Sequence, residues 1–262
     1  MGLNDEVEVA RRTMVLFFLV DTSGSMNGAK IGAVNHAIDE VVPEIKKISV
    51  GNADAQIKIA VLKFDNSAEW ITKNGPEEAE TFVWRSLNAT GTTAMGEACR
   101  QLEKKLSTKE GCFMREATGS YAPAIFMMSD GQPNDDFEGG LKALKENNWF
   151  KASVKVAIAI GDDADKDVLA KFVGSPEGVI VAHDPDTLKR WIKFVSVTAS
   201  KVASKSSNTK SNADGTPAPD NAKQDELHKA IAGQAAATGA TKAADGTINA
   251  SVAPKVNPGD VW

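Results

Sequence analysis

Met14-Val-Leu-Phe-Phe-Leu-Val20 is followed at once by Asp21-Thr-Ser-Gly-Ser25. The first stretch is continuously apolar and rich in β-favouring residues, which is typical of a strand buried on both faces of a parallel sheet. The second stretch carries hydroxyl and carboxylate oxygens, and its glycine favours a turn. Ligands of open parallel sheets bind beyond the carboxyl ends of the strands. We therefore expect a binding site where this first strand ends.

Strand and helix patterns alternate along the chain after this first strand. Helical spacing of apolar residues predicts helices, and apolar runs predict strands. The predicted helices are 29–50, 94–106, 139–150, 165–172 and 184–203, and the predicted strands are 56–64, 68–72, 81–84, 124–128, 154–160 and 178–182. The alternation indicates right-handed βαβ units. It predicts an α/β fold with a doubly wound, mostly parallel sheet flanked by helices.

The composition changes after about residue 203, where Ser, Ala, Asn, Gly, Thr, Lys and Pro dominate. Such a segment buries too little apolar area to offset the entropy of ordering it. We therefore predict a folded domain over 1–203 and a flexible linker over 204–246, in which 224–237 can form a transient helix. Residues 247–262 end in a tryptophan, and they are expected either to fray or to dock on a partner or on this domain.

Composition and charge exclude several classes of partner. The 262 residues contain 30 Lys and Arg against 35 Asp and Glu, for a net charge of −5. Without a basic block, nucleic acid and an acidic membrane surface are unfavourable partners. The apolar run 14–20 is too short to span a bilayer and lacks the flanks of a signal peptide. Cys99 and Cys112 could form one disulfide, but two free thiols in a reducing compartment are the favoured interpretation, which predicts a cytoplasmic protein.

Two further loops carry the same oxygen chemistry as the end of the first strand. Thr90-Gly-Thr-Thr93 precedes a predicted helix, and Ser129-Asp130-Gly131 follows a predicted strand. Hard oxygen donors select Mg²⁺, Mn²⁺ or Ca²⁺ and disfavour zinc. Taken alone, the serine-rich loop 21–25 is also typical of a helix N-cap.

The spacing within the first loop favours one ligand face. Asp21, Ser23 and Ser25 occur at every second position, which points their side chains to one side of an extended loop. A separate acidic group, Asp162, Asp163 and Asp165, offers a second cation site, although N-capping of the next helix is the favoured role there.

Together the three loops resemble the metal-ion-dependent adhesion site of a von Willebrand factor A domain, and the resemblance covers about residues 12–203. It implies a six-stranded doubly wound sheet with a Mg²⁺ site on its top face, with Mn²⁺ or Ca²⁺ as alternatives. It also implies hydroxyl ligands and carboxylates, the latter often acting through water. The hydroxyls are those of Ser23, Ser25 and Thr93, and the carboxylates are those of Asp21 and Asp130. The family commonly has Gly-Gly-Thr at positions 91–93, so Thr92 is an alternative register for Thr93.

The resemblance implies a function in protein binding, in which the ion accepts an Asp or Glu carboxylate from a partner protein. Ser129-Asp-Gly-Gln-Pro-Asn-Asp135 and Val156-Ala-Ile-Ala-Ile-Gly161 resemble the bacterial tellurite-resistance (TerY-like) branch. That branch implies a scaffold or adaptor in a stress, tellurite-resistance or defence-type system, beside a kinase, a phosphatase or an AAA+ ATPase. The Cys-rich zinc module that TerY-like proteins can carry has no counterpart here.

An enzyme is the alternative interpretation. Phe17-Phe-Leu-Val-Asp21 and the later Gly161-Asp162 resemble a metal-dependent phosphatase of the haloacid-dehalogenase type, with Asp21 as the nucleophile. That chemistry requires a second aspartate two residues later as general acid and base, and Ser23 stands at that position. Because the sequence offers no other catalytic constellation, we predict that the protein is not an enzyme.

Overall fold

The computed structural model describes residues 11–53, 55–116, 119–204 and 221–250. The strands are β1 (Arg12–Asp21), β2 (Ala55–Phe64), β3 (Ala68–Trp70), β4 (Glu77–Glu78), β5 (Ala124–Ser129), β6 (Val154–Ile160), β7 (Val179–Ala182), β8 (Thr241–Lys242) and β9 (Ile248–Asn249). The helices are α1 (Ala29–Gly51), α2 (Met95–Lys105), α3 (Phe137–Glu146), α4 (Asn148–Ala152), α5 (Lys166–Val173), α6 (Pro185–Ala203) and α7 (Asn221–Thr238).

The strands form one mixed sheet in the order β3-β2-β1-β5-β6-β7-β9-β8, with β4 also beside β2. Strands β2, β1, β5, β6, β7 and β9 are parallel, whereas β3, β4 and β8 are antiparallel to their neighbours. This confirms the predicted mostly parallel sheet flanked by helices. Within the described residues the sheet has nine strands instead of six, because the two-residue strands β4, β8 and β9 extend it. The strand expected at 81–84 is not formed, and the short strand β4 lies just before it at Glu77–Glu78.

The central strand β1 separates two apolar cores. Its residues Met14 to Val20 are fully buried, and alternate side chains enter opposite cores. Leu16 and Phe18 pack with α1, α6 and α7, whereas Val15 and Phe17 pack with α2, α3, α4 and α5. Helices on both faces are the reason that this strand is apolar at every position rather than at every second one.

Residues 221–246 pack on the domain, where the sequence predicted a flexible linker, and 247–250, the start of the predicted docking segment, lie against this domain. Leu227 and Ile231 of α7 are fully buried in the core that contains Leu16 and Phe18, and β9 pairs with β7 at the sheet edge. The overall composition of this segment does not indicate the contact. Only Leu227, Ile231 and Ala235, spaced four residues apart, form a narrow apolar stripe on an alanine-rich helix. The rest of the predicted linker and docking segment, residues 205–220 and 251–262, lies outside the described residues.

Cys99 and Cys112 are both free thiols. Burial raises the pKa of the Cys99 thiol to about 12, so this thiol is held in its unreactive protonated form. Of the helices in the described ranges, none is long and apolar enough to cross a membrane.

Candidate metal centre

The candidate site lies where the strand order changes direction. Strand β1 has β2 on one side and β5 on the other, so the connections that follow β1 and β5 lead to opposite parts of the sheet. Val20 pairs with Met128, which places Asp21 beside Ser129 at the carboxyl ends of the two strands. The predicted aspartate loops are therefore neighbours because of the sheet topology.

Asp21 is held on both oxygens by its surroundings. Its Oδ1 accepts a hydrogen bond from the Ser23 amide at 2.8 Å, and its Oδ2 accepts one from Ser129 Oγ at 2.5 Å. Desolvation of the buried carboxyl raises its pKa to about 6, although the hydrogen bonds from Ser129 and Ser23 oppose the shift and the negative charge of Asp130 adds a smaller increase. Asp21 is therefore rigidly oriented, and its charged form lacks the stabilisation that water would give.

Ser23 and Ser25 present their hydroxyls together. Ser23 is buried and Ser25 is exposed, and their Oγ atoms are 3.0 Å apart. The short 3-10 helix Gly24–Met26 makes this turn, and the Gly24 amide donates to the Gly91 carbonyl at 3.0 Å. A Cβ at Gly24 would lie 3.2 Å from that carbonyl oxygen, so glycine permits the close approach of the two loops.

The structure distinguishes the two adjacent threonines. Thr92 is exposed, and its hydroxyl donates to Asn66 Oδ1 at 3.1 Å. Thr93 is buried, and its backbone is held on both sides by Asn134: the Thr93 amide donates to Asn134 Oδ1 at 3.0 Å, and the Asn134 amide donates to the Thr93 carbonyl at 2.9 Å. These contacts favour Thr93 over Thr92 as the predicted ligand.

Asp130 is the least satisfied polar group of the site. It is fully buried, and within the described part of the chain neither of its carboxylate oxygens has a hydrogen-bond partner. The Lys30 Nζ is 3.8 Å from Asp130 Oδ2, which is an ion-pair distance and too long for a hydrogen bond. Leaving a buried carboxylate unpartnered is costly. A cation among these oxygens would remove that cost, so the residues fit a metal ion.

The donor set also limits the kind of ion. The described residues include no group of three or more His, Cys, Asp or Glu that could hold a metal. A metal here therefore depends on the hydroxyls of Ser23, Ser25 and Thr93 together with two carboxylates. These all-oxygen donors suit a hard divalent cation.

Further residues hold the loops of this site in place, although the sequence alone assigned them no role. Asn134 holds Thr93, and Asp135 accepts hydrogen bonds at 2.8 Å from the amides of Gly96 and Glu97 at the start of α2. Both lie in the loop that begins with Asp130. Asn and Asp side chains in a loop often bond to backbone groups, and this tendency could have identified them from the sequence. Asp165 accepts from the Val168 amide at 3.1 Å, which confirms its expected role as the N-cap of α5.

Known proteins share this architecture. A family model described as the von Willebrand factor type A domain matches residues 16–193. No curated protein sequence matches the chain. The fold is similar to a von Willebrand factor type A structure from Catenulispora acidiphila, with 18% identity and a TM-score of 0.53 over 72% of this chain and 43% of that one.

Two further solved structures share the fold. The pilus adhesin SpaC from Lactobacillus rhamnosus GG has 14% identity and a TM-score of 0.55 over 73% of this chain and 30% of that one. Proximal thread matrix protein 1 from the mussel byssus, described with a zinc-occupied MIDAS motif, has 21% identity and a TM-score of 0.50 over 73% and 46%. The chain spans less than half the length of each of these proteins. At such identities the similarity shows the fold alone.

Proposed function

Because this chain belongs to the von Willebrand factor type A domain family, we propose that it is a metal-dependent protein-binding module. Domains of this family bind a divalent metal at a metal-ion-dependent adhesion site and often use it in protein–protein interaction. The observation that carries the proposal here is Asp130, whose buried carboxylate oxygens have no hydrogen-bond partner among the described residues. The residues that would hold the ion are Asp21, Ser23, Ser25, Thr93 and Asp130.

Hydrogen bonds hold three of these residues, Asp21, Ser23 and Thr93, in place. Asp21 orients the Ser23 backbone, and Ser129 fixes Asp21 in turn. Asn134 holds the backbone of Thr93 through two hydrogen bonds. A bound ion would supply an electrophilic centre for the Asp or Glu carboxylate of a partner protein. Neutral hydroxyl donors leave the ion more strongly charged than carboxylates would, which favours an anionic partner.

We propose Mg²⁺ as the ion, with Mn²⁺ and Ca²⁺ as alternatives. Hydroxyl and carboxylate oxygens suit these hard cations better than zinc, which prefers nitrogen and sulfur. The zinc reported in the mussel protein belongs to that structure. Competition between Mg²⁺ and Zn²⁺ on this chain would therefore test the donor chemistry directly.

We further propose that the partner belongs to a bacterial stress, tellurite-resistance or defence-type system in the cytoplasm. The motifs Ser129–Asp135 and Val156–Gly161 support this, since they resemble the TerY-like branch. A kinase, a phosphatase or an AAA+ ATPase of the same system is the proposed class of partner. The protein would serve as a scaffold or adaptor rather than as an enzyme.

The test begins with calorimetric titration of the full chain with Mg²⁺ and Mn²⁺. Binding by the wild type and by Thr92→Ala, and its loss in Ser23→Ala/Ser25→Ala, supports the proposal. Absence of binding in the wild type overturns it. Capture of native partners in Mg²⁺ but not in EDTA then tests the bridging role. Turnover of a phosphoester that is lost in Asp21→Asn would favour the phosphatase instead.

A further inference from the structure

We propose that Lys30 is a built-in competitor of the metal ion. Its ammonium group donates a hydrogen bond to Asp163 at 3.3 Å and lies 3.8 Å from Asp130, so it offsets part of the Asp130 charge when no metal is bound and repels a metal ion that approaches the same carboxylate. The inference rests on the proposed function, because it assumes that Asp130 helps to hold the ion. It adds a lysine and a surface aspartate that control how tightly the site binds metal.

The geometry places Lys30 between a buried and an exposed acid. Its Nζ is 3.8 Å from Asp130 Oδ2 and 3.3 Å from Asp163 Oδ1. The Asp130 side chain is 0% exposed, that of Lys30 is 26% exposed, and that of Asp163 is 64% exposed. One ammonium group therefore already contacts both acids, and a small rotation of its side chain would favour either one.

Backbone geometry leaves space for the lysine at this place. Gly161, at the end of β6, has a φ of +96°, a conformation that favours glycine. A Cβ at this position would lie 2.8 Å from Asp163 Oδ1 and 2.9 Å from both Cε and Nζ of Lys30. A side chain at 161 would therefore crowd both members of the Lys30–Asp163 pair, and glycine leaves room for them.

The location of Lys30 in its helix is itself unfavourable. Lys30 is the second residue of α1, whose first turn contains no acidic residue. A cation near a helix N-terminus is destabilising, because the helix dipole is positive there. The ion pairs with Asp130 and Asp163 must compensate for this cost. Stabilisation of the helix is thus not the reason for a lysine at this position.

A divalent ion beside Asp130 would be repelled by the ammonium group of Lys30, which lies 3.8 Å from the same carboxylate. At contact distance even water-screened repulsion between a divalent ion and a unit positive charge changes an equilibrium constant by more than about tenfold. Removing the lysine charge should therefore tighten metal binding. Asp163 would act in the opposite sense to Lys30, since it holds the ammonium group away from Asp130.

The experiment is titration of the full chain with Mn²⁺ and Mg²⁺ in a calorimeter at physiological ionic strength. Lys30→Gln should bind Mn²⁺ at least about tenfold more tightly than the wild type. The matched control is Lys47→Gln, on the same helix about 25 Å along its axis. That charge lies beyond the Debye length, so its removal should leave the affinity within about twofold.

A double-mutant cycle separates the roles of the two side chains. Asp163→Asn should weaken Mn²⁺ binding in the wild type, partly by losing a negative charge and partly by freeing Lys30 to remain on Asp130. In the Lys30→Gln background there is no ammonium group to remain on Asp130, so Asp163→Asn should weaken Mn²⁺ binding clearly less. Equal effects in both backgrounds would mean that Asp163 does not act through Lys30.

Melting temperatures give a readout that does not depend on affinity. In EDTA, Lys30→Gln should melt below the wild type, because Asp130 loses its counter-ion; in saturating Mg²⁺ it should melt at or above the wild type. A lysine with a purely structural role would lower both temperatures. If the wild type binds Mn²⁺ and Lys30→Gln binds it equally, the competitor role is wrong while the metal site stands. If neither protein binds Mn²⁺, both proposals are wrong. If only Lys30→Gln binds Mn²⁺, the competitor role is supported.

Discussion

Replacing Asp21 by asparagine is expected to stabilise the metal-free protein at pH 7.5. Burial raises the pKa of this carboxyl from 3.8 to about 6. A carboxyl with a higher pKa in the folded state binds its proton more tightly there, so its ionised form destabilises the fold. The destabilisation is absent below about pH 4, grows as the pH rises to about 6 and is complete above it. At about 1.4 kcal/mol for each pH unit, it reaches about 3 kcal/mol.

The hydrogen bonds of Asp21 reduce the expected gain. The Ser23 amide and Ser129 Oγ both donate to the carboxylate, and Ser129 Oγ itself accepts from the Gly131 amide. An asparagine can accept from Ser23 through its oxygen, but it presents its NH₂ group to Ser129. The loss of one such bond costs about 1–2 kcal/mol. The net stabilisation at pH 7.5 is then about 1–2 kcal/mol, and at pH 5 it falls to about zero.

Urea unfolding in EDTA at pH 7.5 and pH 5 measures this difference. Asp184→Asn is a control of opposite sign: desolvation raises the pKa of Asp184, but hydrogen bonds from Thr187 outweigh it and the net pKa is lowered. Stability from Asp184 is therefore present above about pH 4 and is lost only at lower pH, so its replacement should destabilise the protein equally at pH 7.5 and at pH 5. The reasoning is refuted if Asp21→Asn is less stable than the wild type at pH 7.5, with a difference that does not vary with pH.

Three further outcomes are expected. Ser23→Ala/Ser25→Ala should abolish Mn²⁺ binding in calorimetry and leave the circular dichroism spectrum unchanged, because both hydroxyls lie on a loop outside the core. Thr93→Ala should weaken Mn²⁺ binding more than Thr92→Ala, whose hydroxyl is engaged by a neighbouring asparagine, and the reverse order would shift the assigned register. Leu227→Ala should lower the free energy of unfolding by about 2–5 kcal/mol in urea, whereas a flexible linker would show no change.

The central part of the fold could be predicted because local and global preferences agree there. The apolar run Met14–Val20 suits a strand covered on both faces, and that is its environment. Loops rich in oxygen donors followed two of the predicted strands, so a site at their carboxyl ends was implied by the fold class alone. The pairing of β1 with β5 is enough to place Asp21 beside Ser129, whatever the conformation of the loops that follow.

The remaining features depend on contacts between segments that are distant in sequence. The burial of Leu227 and Ile231 requires a groove made by other elements, and composition averaged over the segment does not show it. The hydrogen bonds between Asn134 and Thr93 join two loops 41 residues apart. Lys30 is similarly an ordinary polar position of an amphipathic helix until β5 and β6 bring Asp130 and Asp163 to it.

Because the aspartates of the site are buried, the stability of the domain is linked to the proposed binding of a metal ion. The same burial that raises the pKa of Asp21 leaves Asp130 without a hydrogen-bond partner among the described residues, so the metal-free fold carries the cost of two aspartates close together. A surface site of the same composition would be screened by water and would gain little from an ion. A ligand that binds only the folded state at about 100 times its dissociation constant stabilises it by about 2.7 kcal/mol. That gain is comparable to the destabilisation by Asp21 alone, so occupancy of this site and stability of the domain are expected to rise together.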